Sequence, residues 1–169
     1  MADIKQIIQF IKEKEGGYVN DPDDKGGCTN SGVTIAVFRK FFGKAKTCED
    51  LKKLTDEEWE KIFVKDYWKP WKADEIQNQS IAQLVVDMGY MSGTKLAIKK
   101  VQACLGLKAD GIVGPITLGA LNDKSTMVTF RKLYSMRYTW LHQLALKANN
   151  KKYLRGWLNR LNSVKYSPF

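Results

Sequence analysis

A chain of 169 residues, 44% hydrophobic and 27% charged, suits one compact domain or a domain with a small second lobe, and it is long enough for a core. No apolar run approaches the ~20 residues of a membrane span, which excludes a chain built around one. The net charge is +10, and the whole excess lies in residues 124–169, which hold ten Lys or Arg and no Asp or Glu. In chain order, Asp3 can cap a first helix with Gln6 as its capping-box partner, and Ile4, Ile7, Ile8 and Ile11 mark one face at helical spacing. Gly16-Gly17 ends that pattern, and NDPDDKGG (20–27) is dense in turn formers. CTNSGVT (28–34) reads as a short hairpin around Asn-Ser-Gly. Thr34 then caps a helix through IAVFRKFF, stopped by Gly43, and Thr47 and Thr55 each precede an acid by three residues, so each can start a helix.

The helix opened by Thr55 should carry Trp59, Ile62, Phe63 and Tyr67 on its inner side and end at Pro70. A helix from about Ser80 to Tyr90 is apolar nearly all round, which implies burial. Another runs from Thr94 to Leu105, followed by the turns of LGLKADGIVGP and a short helix from Thr117. Ser125 opens a long helix to about Ala148, Asn149-Asn150 breaks it, and a last helix carries Tyr153, Leu154, Trp157, Leu158 and Leu161. The expected fold is therefore mainly α, or α+β, with several helices and one small β-hairpin after the first helix. There is no internal repeat, low-complexity tract or linker.

Cys28, Cys48 and Cys104 share no metal-ligand spacing, and His142 is the only histidine, so no metal site is expected. The simplest reading is three free thiols in a chain made in a reducing compartment. The N-terminal MADIKQIIQFIKEKE is charged throughout and lacks a signal peptide's apolar core. The expectation is synthesis in the cytoplasm, with any action outside it depending on release or export by another route.

Glu15 is the residue that asks for an explanation. It continues the series 4, 8, 11, 15, and at ~100° per residue it falls on the apolar stripe. Partial desolvation and the negative end of the helix dipole both favour the protonated acid there. A glycosidase needs such a group to protonate a leaving glycosidic oxygen. Gly16 and Gly17 leave room for a ligand near the backbone, and Asp21, Asp23 and Asp24 are candidates for a second carboxylate. Thr29 and Thr34 offer hydroxyls that could position a water. The alternative is a solvent-facing Glu15 followed by plain turn formers, and spacing alone leans that way. DPDDKG fails as a calcium loop, with Lys25 at its fifth position and Gly32 at its twelfth.

The stretch EGGYVNDPDDKGGCTNSGVT, residues 15–34, resembles the signature of glycoside hydrolase family 108, which includes phage endolysins and secretion-activating proteins. The resemblance implies a lysozyme-like fold and cleavage of the peptidoglycan glycan strand, with the family's catalytic glutamate falling on Glu15. Asp24, nine residues on, takes the place of the acid in the wider lysozyme-like pattern, with Asp21 as its rival. The threonine slot six further is Asn30, and Thr29 stands one short of it. Tyr18, Asn20 and Asn30 would join Gly16 and Gly17 in binding substrate. A second stretch, KKVQACLGLKADGIVGPITLGALN (99–122), resembles the core of predicted peptidoglycan-binding domains. These resemblances divide the chain into a catalytic part, 1–93, and a peptidoglycan-binding-like part, 94–169, packed as one compact unit.

Among the aromatics, Tyr18, Tyr67, Trp68 and Trp71 are candidates to line a sugar cleft, and Trp59, Trp140 and Trp157 are expected in the core. Asp87, inside the apolar IAQLVVDMGY, is expected to be buried and structural. The resulting reading is an N-acetylmuramidase that needs no cofactor and whose partners are peptidoglycan strands. An anionic wall polymer would be drawn to the basic C-terminal part. Nucleic acid is not an expected partner, because no recognised binding motif is present. The rival is a wall-binding or secretion-accessory protein that keeps the fold without the chemistry.

Overall fold

The computed structural model describes residues 1–20, 27–147 and 150–168. Among these residues there are nine α-helices and one two-stranded antiparallel sheet. The helices are α1 (Ile4–Lys12), α2 (Ile35–Phe42), α3 (Cys48–Lys52), α4 (Asp56–Phe63), α5 (Gln79–Ser92), α6 (Thr94–Cys104), α7 (Pro115–Leu121), α8 (Thr126–Ala145) and α9 (Leu154–Ser163). The strands β1 (Thr29–Asn30) and β2 (Val33–Thr34) lie between α1 and α2. The mainly helical fold with a single hairpin after the first helix is the one the sequence implied. No helix among the described residues is long and apolar enough to cross a membrane. The chain forms two compact units, Ile8–Lys65 and the combination of Met1–Ile7 with Asp66–Phe169.

In the first unit the helix starts follow the sequence. Thr47 and Thr55 each form a full capping box, with Asp50 and Glu58 respectively, and Thr34 Oγ1 accepts from Val37 N at 3.3 Å. The Asp50 carboxyl is held below its ordinary value, first by the Thr47 backbone N–H and then by its hydroxyl. The Ser31-Gly32 turn has positive φ at both positions, 47° and 74°, the geometry of a two-residue hairpin loop. Trp59 Nε1 donates to Ser31 O at 3.0 Å and so fixes that turn to α4. Ile11, Val33, Ile35, Phe38, Leu51, Trp59, Ile62 and Phe63 form the buried core, with Trp59 and Phe63 stacked at 5.1 Å. The chain does not continue α4 as a regular helix to Pro70. It widens into a π-helical turn, Val64–Trp68, and then a 3-10 turn, Lys69–Trp71.

The expectation of three free thiols is wrong. Cys28 and Cys48 form a disulfide, and only Cys104 is free among the described residues. A separation of 20 residues carries no pairing signal by itself. The fold creates the pairing by packing α3 against β1, where Asn30 Nδ2 donates to Leu51 O (2.9 Å) and Lys52 O (3.3 Å). A bridge closing a loop of this length contributes about 3 kcal/mol in the chain-entropy account. Cys28→Ser should therefore lower the melting temperature by several degrees, as thermal unfolding by circular dichroism would show. Thiol titration of the denatured, unreduced protein should find one thiol per chain, and three would contradict the bridge.

In the second unit α5 is the central element, buried through Ile81, Ala82, Leu84, Val85, Val86 and Met88, with α6 and α8 packed on it and α9 on α8. Its start is capped by Asn78, whose side chain accepts from Ile81 N at 3.1 Å. At the start of α1, Asp3 Oδ1 accepts from Lys5 N at 2.9 Å, but Gln6 does not complete the box. Gln79 Oε1 takes the Asp3 N–H instead, from the neighbouring helix. A Cβ on Gly89 would lie 2.8 Å from the buried Trp71 Nε1, so α5 needs a glycine there. Gly89→Ala should destabilise by about 1–3 kcal/mol, the usual cost of overpacking, read by urea unfolding.

Asp87 is fully buried and bridges two helices. Arg137 Nη2 from α8 donates to its Oδ2 at 2.7 Å, and Arg160 Nε from α9 donates to its Oδ1 at 2.8 Å. Arg137 Nη1 also reaches Leu84 O at 3.3 Å, and the Arg160 guanidinium lies 5.9 Å from the Tyr90 ring. Two of the ten cations of residues 124–169 are thus internal, and the other eight are exposed.

Candidate active site

Glu15 stands at the end of a short extension of α1. The regular helix stops at Lys12, but Glu13 N, Lys14 N and Glu15 N still bond back to Gln9 O, Ile11 O and Ile11 O. This hydrogen-bonded turn keeps Glu15 on the side that Ile11 begins, and its side chain is half-buried. Gly16 and Gly17 follow, both exposed, and a Cβ on either would meet nothing within 4 Å among the described residues. Among the described residues, neither glycine is demanded by packing or by a left-handed backbone.

The chain then turns onto the hairpin. Val19 and Thr29 exchange both backbone hydrogen bonds at 2.8 Å, and Thr29 in turn faces Thr34 across the β1–β2 ladder. Tyr18 is half-buried, with Lys52 Nζ 5.7 Å from its ring centroid. Asn20 is exposed. The side chains of Asn30 and Thr34 have structural work: Asn30 ties the hairpin to the end of α3, and Thr34 caps α2. Thr29 is half-buried within the ladder. Asp21, Asp23 and Asp24 lie outside the described residues.

Two proposed substrate contacts belong to the second unit. Tyr67 is half-buried and packs at 4.9 Å on Tyr90. Trp68 is only 2% exposed, its indole N–H donating to Asp74 Oδ1 at 2.9 Å, so its ring is packed in the core. Trp71 is fully buried as well. Among the tryptophans expected inside, Trp59 is buried, whereas Trp140 and Trp157 are only half-buried.

The Gln…Asp-Gly…Thr pattern of residues 102–117 has a structural account. The buried Gln102 Nε2 donates to Asp110 Oδ1 (2.9 Å), Ile112 O (2.9 Å) and Thr117 Oγ1 (3.2 Å), while its Oε1 accepts from Gly111 N (2.9 Å). Gly111 takes φ 82°, which favours glycine. The Asp110 carboxyl is held below its ordinary value by the Ile112 N–H first and the Gln102 amide second. The pattern therefore encodes a turn, and its polar side chains are spent on holding that turn.

A mainly helical fold with one short hairpin after the first helix is lysozyme-like. The chain is similar to Brucella abortus SagA, with a TM-score of 0.82 and 27% identity over 95% of this chain and 90% of that one. Residues 8–93 match the family Glycosyl hydrolase 108, which is half of the chain, and the protein belongs to that family. Residues 96–162 match a Predicted Peptidoglycan domain. No curated protein matches the sequence significantly. The two matches define a protein of peptidoglycan hydrolysis or a related cell-wall function, with peptidoglycan as its partner.

Proposed function

We propose that this protein is an N-acetylmuramidase in which Glu15 protonates the glycosidic oxygen between N-acetylmuramic acid and N-acetylglucosamine. The observation that carries this reading is the half-buried Glu15 at the end of the α1 turn, followed directly by the exposed Gly16 and Gly17, within the segment matched to a glycoside hydrolase family. The proton passes from Glu15 to the leaving oxygen as the C1–O bond breaks, and water completes the hydrolysis at C1. Asp24 or Asp21 stabilises the oxocarbenium-like state or takes the proton of that water. Tyr18 offers a ring to the sugar, and Thr29 offers a hydroxyl from strand β1. The Cys28–Cys48 disulfide fits action outside the reducing cytoplasm, at the wall. The test is clearing of a suspension of purified peptidoglycan. A folded protein that binds these walls without clearing them would be the accessory protein instead.

The eight exposed cations of residues 124–169 concentrate the enzyme on an anionic wall. Attraction between exposed charges is screened beyond ~10 Å at 0.1 M salt. Pelleting with walls should therefore fall steeply as salt rises, and replacing the exposed Lys147, Lys151, Lys152 and Arg155 with Gln should reproduce that fall at low salt. A four-site variant that pellets like wild type would make the charge a solubility device only.

A further inference from the structure

The groove between α6 and α8 has a lining that the enzyme reading does not use. It is an open surface groove of about 440 Å³, a volume in the ~300–1,000 Å³ range of small-ligand sites. Its wall on α8 is a polar row, Ser135, Thr139 and Gln143, at i, i+4 and i+8, with Met136 and Trp140 beside it. All three polar residues are exposed, and their side chains have no hydrogen-bond partner among the described residues. Trp140 is half-buried and lines the groove. From α6, Lys100 holds its ammonium 4.8 Å from the Trp140 ring centroid. Among the described residues, no acidic side chain lines the groove.

We propose that this groove is a subsite for a muramyl peptide, the junction of the glycan strand with its acidic peptide. The proposal rests on the peptidoglycan reading of residues 96–162 and names the part of the polymer they hold. The chemistry fits both halves of that junction. A pyranose ring has an apolar face that packs on an indole, and its hydroxyl and acetamido groups match Ser135, Thr139 and Gln143. A peptide carboxylate takes Lys100, replacing a weak cation–π contact with a charge-assisted hydrogen bond. A neutral glycan would satisfy the indole and the polar row but leave the cation unmatched. A peptide without the sugar would leave the indole unmatched.

The test uses the full chain carrying Glu15→Gln, labelled with nitrogen-15, and follows the indole N–H signals. The Trp140 signal is identified by its loss in Trp140→Phe. The probes are N-acetylmuramyl-L-alanyl-D-isoglutamine and its carboxyl methyl ester, which differ in one charge. The acid should move the Trp140 signal, and the ester should bind about tenfold more weakly, the loss of one charge-assisted hydrogen bond. Lys100→Gln should erase the difference between the two probes. An unmoved Trp140 signal at roughly 10 mM acid, well above an ~1 mM Kd, overturns the proposal, as does equal affinity for acid and ester in the wild-type groove. Wall clearing by wild type with a silent Trp140 signal removes this subsite and leaves the enzyme. A responsive Trp140 signal in a chain that clears no wall removes the enzyme and leaves the subsite.

Discussion

Glu15→Gln should leave the fold and melting temperature unchanged and reduce wall clearing by at least ~100-fold, the lower end of what a positioned general acid contributes. The amide has nearly the shape of the acid and fits the same half-buried place after the α1 turn, but it has no acidic proton to give. The comparison needs purified walls, equal protein and a circular dichroism spectrum of each variant. A folded Glu15→Gln protein that clears walls at near wild-type rate removes Glu15 from the chemistry.

The largest expected loss of stability lies far along the chain, at Asp87. Its two oxygens each accept from a different buried arginine, one on α8 and one on α9. Asp87→Ala removes the carboxylate that both cations share. Breaking a buried ion pair from one side costs about 3–5 kcal/mol, because a charge stays behind without its partner. Urea unfolding should show this loss, and a change below about 1 kcal/mol would mean that the arginines find equal partners elsewhere. Asp87→Asn should cost less, since the amide oxygen still accepts one of the two hydrogen bonds.

The sequence made some of this legible for definite physical reasons. The capping boxes at Thr47 and Thr55 are local, three residues from donor to acceptor, so the residue types alone marked both helix starts. The Asn-Ser-Gly turn was visible because few sequences tolerate two consecutive positive φ angles. Asp87 was readable as buried from its apolar surroundings, but its partners lie 50 and 73 residues away, and nothing local points to them. The disulfide was missed for the same reason: α3 reaches β1 only after the chain has folded back. Helix α4 loses its regular winding at Val64, where the sequence still reads as a helix up to Pro70. The candidate site divides in the same way. Glu15 and its glycines are contiguous and stood out in the sequence, whereas the structural duties of Asn30 and Thr34 appear only once the hairpin meets its neighbours. Trp140 looked like a core residue because helical spacing gives the direction of a side chain but not how much of it a neighbouring helix covers.

The identity of the bond that is cut bears on the central claim more directly than any rate. Purified peptidoglycan would be digested with wild type and with Glu15→Gln, the soluble fragments reduced with borohydride, and the reduced sugar ends identified by mass spectrometry. A muramidase leaves N-acetylmuramic acid at each new reducing end, so wild type should yield N-acetylmuramitol ends and Glu15→Gln almost none. N-acetylglucosaminitol ends, new peptide termini without new sugar ends, or muramitol ends from both proteins alike would contradict it.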